Sequence, residues 1–165
     1  MNCFIIAAIT ADGFIAKDPT HAAFLWTSKE DKKHFIELTK QAGVVIFGRM
    51  TYETIGKPLK DRLNIVYTKT RTFEGVETTF KEPRELLNDL ETRGFKNVAI
   101  CGGSHIYTLF MRAKVVTKIF LTLEPIIFGK GIRLFEEQLD VKLKLVTSNT
   151  TSTGTIFAEY EVEYE

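Results

Sequence analysis

VVIFGRMTYETIG, residues 44–56, passes from four apolar residues straight into Gly48 and Arg49, turns amphipathic through Thr51, Tyr52 and Ile55, and stops at Gly56. An unbroken apolar run reads as a strand buried on both faces, because a strand wet on one side alternates apolar with polar. A short helix begins directly after it, so unpaired backbone N–H groups face whatever sits at the strand's carboxyl end. Gly48 lets a ligand approach the backbone closely, and the Arg49 guanidinium is a fork of donors shaped for phosphate. Taken alone, such an arginine is ordinarily solvated. The buried run before it and the helix start behind it point to a ligand.

The rest of the chain builds a sheet around this strand. CFIIAAI at 3–9 and NVAICGG at 97–103 are further apolar runs, and LNIVYT at 63–68 follows the turn at Pro58. Between them lie helices. Ser28 is a plausible N-cap for a segment with Phe35, Leu38 and Ala42 at helical spacing, stopped by Gly43. EPRELLNDLETRG at 82–94 puts Leu86, Leu87 and Leu90 on one face, and SHIYTLFM at 104–111 does the same with Ile106, Leu109 and Phe110. The last third differs: KIFLTLEPIIF at 118–128 reads as a strand, while VKLKLVTSNT at 141–150 and TIFAEYEVEY at 155–164 alternate with period two. Strands alternating with helices predict an α/β fold: a mostly parallel, twisted central sheet flanked by helices, closed by a C-terminal antiparallel hairpin wet on one face. Residues 10–26 read as a loop.

Bulk properties fit one domain spanning 1–165, with 44% apolar residues to fill its core. Twenty-two basic against 21 acidic residues leave a net charge of +1, so neither nucleic acid nor an anionic membrane is an expected partner. The opening residues lack the basic start and cleavage site of a secretion signal, and no apolar run approaches the roughly 18 residues of a membrane span. With Cys3 and Cys101 inside strand-like runs, a cytoplasmic protein with reduced thiols is expected, either monomer or homodimer. A small-molecule substrate is the expected partner, and no metal site is expected.

Ligands of open α/β sheets gather at the strands' carboxyl ends. Besides Gly48-Arg49, one such end is Gly102-Gly103, where Ser104 opens a helix; its plainer reading is a tight turn packing helix on strand. The two turns together could hold the two phosphates of a dinucleotide. Because the G-x-G-x-x-G fingerprint is absent, the site is of another kind than the common dinucleotide fold. Lys69 and Arg71 could add charge for a further phosphate, although charges at a strand end are usually just solvated. Asp31 is the candidate acid. Its plainer role is a helix cap, since Ser28 and Asp31 fit a capping box and a carboxylate in a first turn favours the helix dipole.

Taken together, IAAITADGFIA, Trp26 with Asp31 and Phe35, FGRMTYETIGKPLKDRLNIVYTK, AICGGSHIY and IFLT resemble the dihydrofolate reductase family over nearly the full chain. The resemblance implies a dihydrofolate reductase-like fold and NADPH-dependent reduction of dihydrofolate. It implies that Gly48, Arg49, Met50 and Thr51 grip the pyrophosphate and adenosine side of NADPH and that Gly102, Gly103, Ser104, His105 and Ile106 grip the other side. Ala7, Ile15, Thr68, Cys101 and Tyr107 would complete the cofactor site, with Lys69 at the 2′-phosphate. Asp31 would hydrogen-bond the pterin and promote protonation of the ring nitrogen beside the carbon that takes hydride. Thr122 would bond that carboxylate, and Trp26 would order the loop and a bound water. Ala8, Phe35, Thr54, Ile55 and Leu59 would line the substrate pocket, with Arg62 pairing the carboxylate of the folate tail.

The chain also departs from the family pattern. Its 17–25 loop is longer than expected, Leu25 stands where a proline is usual, and Lys32 stands where an uncharged wall residue is usual. PIIFGKGIRLF at 125–135 is more similar to the reductase domains of riboflavin synthesis, which share the fold and NADPH. An enzyme acting on a ribosylated aminopyrimidine, or a catalytically silent nucleotide-binding module, are therefore the alternatives.

Overall fold

In the computed structural model, which describes residues 1–165, the run at 44–48 is the strand β3 (Val44–Gly48), with Val44 to Phe47 all at most 1% exposed. Its side chains alternate between two cores. Val44 and Ile46 join one cluster with Cys3, Ile5, Leu90, Ile100 and Phe110, while Val45 and Phe47 join another with Phe4, Ile6, Tyr52 and Val66. Burial on both faces, read from unbroken apolarity, is what the sheet provides.

In chain order the elements are β1 (Asn2–Thr10), β2 (Phe14–Ala16), α1 (Lys29–Ala42), β3, α2 (Arg49–Ile55), β4 (Leu63–Tyr67), β5 (Glu77–Thr79), α3 (Pro83–Thr92), β6 (Asn97–Ile100), α4 (Ser104–Arg112), β7 (Lys118–Glu124), β8 (Ile132–Arg133), β9 (Lys142–Thr150) and β10 (Ile156–Glu163). Eight strands form one sheet in the order β5-β4-β3-β6-β1-β7-β10-β9. Every pairing from β5 to β7 is parallel, and β10 joins β7 and β9 antiparallel. The α/β architecture with a closing antiparallel hairpin is therefore as expected. Residues of α3 and α4 pack into the first cluster, and those of α1 and α2 into the second, so helices cover both faces.

Three details differ from the sequence reading. The segment 10–26 is not all loop: β2 pairs with β8, and Asp12 fastens the turn before β2 by accepting Phe128 N and Gly129 N at 3.1 and 2.6 Å. The strand at 118 ends at Glu124, because Pro125 has no N–H to continue the ladder. The hairpin strand β9 is exposed along its whole length, Leu143 and Leu145 included, whereas alternation predicted one covered face. It lies at the sheet edge beyond the reach of the helices, so its register is shared with β10 but its side chains are not packed.

Candidate active site

The carboxyl ends of β1, β3, β4 and β6 open onto one cleft of about 780 Å³, a size that suits a cofactor with a small substrate. From β1 come Ala7 and Ala8, and from β2 Ile15. The turn into α2 supplies Gly48, Arg49, Met50 and Thr51, and α2 itself Thr54 and Ile55. Thr68 and Lys69 follow β4, Cys101 to Tyr107 follow β6, and α1 contributes Asp31 and Phe35. Most of the candidates named from the sequence are thus brought together.

Four of them lie off the cleft wall. Thr122, 1% exposed, is paired across the sheet with Ala8 and sits behind Asp31. Trp26 packs edge-on against Phe128, with its indole N–H buried and without a protein partner. Leu59 packs into the cluster under α1 and α2, while its backbone N–H and carbonyl are both bound by the Asn64 side chain. Arg62 lies beyond the cleft. Its Nε donates to Lys60 O at 2.8 Å and its Nη1 to Thr39 Oγ1 at 2.7 Å, while Nη2 has no protein acceptor. Burial holds its pKa below the ordinary arginine value. Asn64, only 3% exposed, also bonds Arg62 O and so fixes the whole 59–62 turn.

Asp31 is 9% exposed, and of the acidic residues in the cleft wall it alone is buried. Burial pushes its carboxyl above the usual carboxylate range, the nearby Glu124 charge adds to that, and hydrogen bonding from Thr122 and Thr27 pulls it back. The capping box is only half present. Ser28 Oγ accepts from Asp31 N at 3.1 Å, but the returning bond from Ser28 N goes to Glu124 Oε1 at 2.8 Å. Asp31 is therefore the second residue of a cap without using its own carboxyl in it.

The two glycine turns face each other, and Gly48 N donates to Gly102 O at 2.6 Å. A Cβ on Gly103 would come within 2.9 Å of Thr51 Oγ1, and one on Gly48 within 3.0 Å of Ile106. Gly102 has φ +120°, closed to most side chains. Next to them Ser104, 6% exposed, opens α4 with a buried hydroxyl that has no protein partner. Such a cradle of bare backbone, a free hydroxyl and a helix start suits an anion. Arg49 is less free than its place suggested: Glu53 takes its Nη1 with both oxygens, at 3.1 and 2.9 Å, and also holds Arg71 at 2.8 Å. Lys69 lies 5.9 Å from the Phe80 ring centre. The Cys101 thiol, pushed up by burial, stays protonated and offers no nucleophile.

Several wall residues escaped the sequence reading. Phe80, Lys81 and Glu82 enter from beyond β5, a strand of three residues too short to show a period. Asp18, Pro19, His21, Ala23 and Phe24 reach in from the 17–25 loop. Lys32, by contrast, is expected from the sequence as a wall residue, and it does line the wall beside Asp31; it makes no ion pair, unlike its neighbour Lys33, which reaches Glu37.

A buried carboxyl and a paired glycine cradle at the mouth of a parallel sheet define a domain of the dihydrofolate reductase type. Residues 2–124 match the family model described as dihydrofolate reductase, and the chain belongs to that family. Its members are NADPH-dependent oxidoreductases. The chain is 31% identical over 150 residues to the dihydrofolate reductase of Bacillus subtilis (strain 168), covering 87% of this chain and 80% of that one. Among solved structures, dihydrofolate reductase from Enterococcus faecalis complexed with NADP(H) aligns with TM-score 0.80 at 22% identity, over 99% of this chain and 97% of the other. A putative riboflavin biosynthesis protein from Shewanella sp. PV-4 aligns with TM-score 0.84 at 20% identity, over 99% and 100%. These last two are likenesses of fold. No helix is long and apolar enough to cross a membrane.

Proposed function

We propose that this chain reduces 7,8-dihydrofolate to 5,6,7,8-tetrahydrofolate, with NADPH as the reductant. The observation that carries the reading is Asp31, a carboxyl buried in the cleft wall and held above the ordinary range. A buried carboxyl whose neutral form is favoured can both bond a pterin and help deliver a proton. When bound, NADPH supplies the hydride.

The residues present fit that cofactor. Gly48 to Thr51 and Gly102 to Ile106 would hold the pyrophosphate, and the free Ser104 hydroxyl is a donor waiting beside it. Lys69 would meet the 2′-phosphate, next to the exposed Phe80 ring. Ala7, Ile15, Cys101 and Tyr107 would give the cleft its apolar side. Asp31, backed by Thr122, would orient the pterin and promote protonation of the ring nitrogen adjacent to the reduced carbon. Ala8, Phe35, Thr54 and Ile55 would enclose it and exclude water, and Trp26 Nε1 would hold a water at its edge. Two free, buried thiols suit the reducing cytoplasm.

Arg49→Ala is expected to weaken NADPH only about three- to tenfold, because Glu53 already engages the guanidinium and a partly exposed, shared contact is worth about 1 kcal/mol. Preference for NADPH over NADH should hardly change, since Lys69 is the residue assigned to the extra phosphate. Fluorescence titration of both cofactors checks this, and an unaltered NADPH dissociation constant removes Arg49 from the site.

Lys32 favours a second reading. An unpaired ammonium in the wall beside Asp31 suits a substrate bearing a phosphate, such as the ribosylated aminopyrimidine of riboflavin synthesis. NADPH oxidation by the purified protein, followed with dihydrofolate and separately with that aminopyrimidine, tests the two readings. Tight NADPH binding with turnover of neither would leave a nucleotide-binding module.

A further inference from the structure

Glu124 is 4% exposed, does not line the cleft, and has no part in the chemistry set out above. It nonetheless receives Ser28 N at 2.8 Å and Ser28 Oγ at 2.7 Å on Oε1, and Thr155 Oγ1 at 2.9 Å on Oε2. Its two oxygens meet one backbone N–H and two hydroxyls. The Ser28 hydroxyl thus has a fixed sense: it gives its proton to Glu124 and takes the Asp31 N–H.

In an ordinary capping box the acidic residue in the first turn folds back onto the N-cap N–H. Here that N–H is already taken. We propose that Glu124 is a positioning residue for Asp31: it occupies the capping contact at the start of α1 and thereby leaves the Asp31 carboxyl free for the cleft. The inference rests on the proposed function only in treating Asp31 as the working carboxyl. A second consequence is electrostatic. A fixed negative charge close to a buried carboxyl favours its neutral form, and burial keeps solvent from screening it.

The other groups facing Asp31 leave Glu124 as the principal opposing charge. His34, on α1 itself, favours the ionised form, as do the Thr27 and Thr122 hydroxyls near the carboxyl, and Lys32 lines the cleft wall next to it. The Tyr107 hydroxyl on α4 is committed to Ile6 O at 2.8 Å.

The test compares Glu124→Gln, which keeps a carbonyl oxygen for Ser28 and removes the charge, with Glu124→Ala, which removes both. The Asp31 side chain is followed by carboxyl ¹³C NMR, its resonance identified by its loss in Asp31→Asn. The pH profile of kcat/KM for dihydrofolate and the thermal midpoint are measured beside it. In Glu124→Gln the Asp31 titration and the descending activity limb should move together to lower pH, giving a severalfold loss of kcat/KM above the limb. In Glu124→Ala the titration should move further, because the carboxyl can then turn to the vacated Ser28 N–H. A lowered thermal midpoint with an unmoved Asp31 titration in both variants would make Glu124 purely structural and overturn the proposal. If dihydrofolate is not turned over, the function reading fails, while the NMR titration still decides this one.

Discussion

Asp31→Asn lowers turnover of dihydrofolate by about two to four powers of ten while NADPH binding stays intact, and the deficit widens above neutral pH. Asparagine keeps the shape and much of the hydrogen bonding but cannot assist protonation, so the variant depends on solvent protons that grow scarce as pH rises. The stability of the same variant has a definite sign. Because the folded-state pKa of Asp31 is raised, the folded protein holds this proton over a window starting near the ordinary carboxylate value of about 3.9, and stability falls as pH climbs through it. Above the folded-state pKa the ionised, buried carboxylate costs folding free energy. Asparagine avoids that cost, so the variant melts no lower than the parent at pH 8 and gains nothing at low pH, where Asp31 is already neutral. Stopped-flow turnover across pH and melting curves at both ends check the two halves. Normal kinetics with a small loss of stability, about 1 kcal/mol or less, would reduce Asp31 to a first-turn carboxylate that favours the helix dipole.

Arg62→Leu raises the Michaelis constant for dihydrofolate about ten- to hundredfold, with NADPH affinity nearly untouched, as loss of a charge-assisted contact of roughly 1.5–3 kcal/mol implies. The guanidinium is held at Lys60 O and Thr39 Oγ1, and its unengaged Nη2 side is where the carboxylate of the folate tail would meet it. That contact is remote from the reacting carbon and equally strong in ground and transition states, so its loss falls on KM and spares kcat. The fold should survive, because Thr39 Oγ1 keeps its own bond to Phe35 O at 2.6 Å and Asn64 still fixes the 59–62 turn. Steady-state kinetics with dihydrofolate and with the aminopyrimidine separate the outcomes. Loss confined to the aminopyrimidine would assign Arg62 to a phosphate and move the function to riboflavin synthesis.

What the sequence made legible was whatever a local pattern dictates. Buried strands such as β3 declare themselves by unbroken apolarity, α1 by Ser28 and Gly43 at its ends, and the two strand-to-helix turns on the cleft by glycines at strand ends. What it hid depends on contacts between distant residues. The role of Glu124 requires β7 to end where α1 begins, 96 residues earlier in the chain. Glu53 drawing Arg49 and Arg71 together needs β4 beside β3, and Asn64 looks like any strand polar residue until its three bonds to the 59–62 turn are seen. The exposure of β9 was illegible for a further reason: alternation fixes which residues share a face, but only the placement of the helices decides whether anything covers it.

The bond from Gly48 N to Gly102 O makes the two glycine turns a single stiff jaw. They sit on β3 and β6, strands paired side by side in the middle of the sheet, and cannot part without tearing the ladder between them. Under the proposed function a dinucleotide settling there would find its seat already assembled, so little of its binding free energy would be spent on ordering the protein. On the opposite side Asp18, Pro19 and Phe24 approach the cleft from an exposed loop outside the main sheet. Under the proposed function the cofactor's seat would belong to the sheet and the outer wall of the cleft to a loop, two separate parts of the molecule.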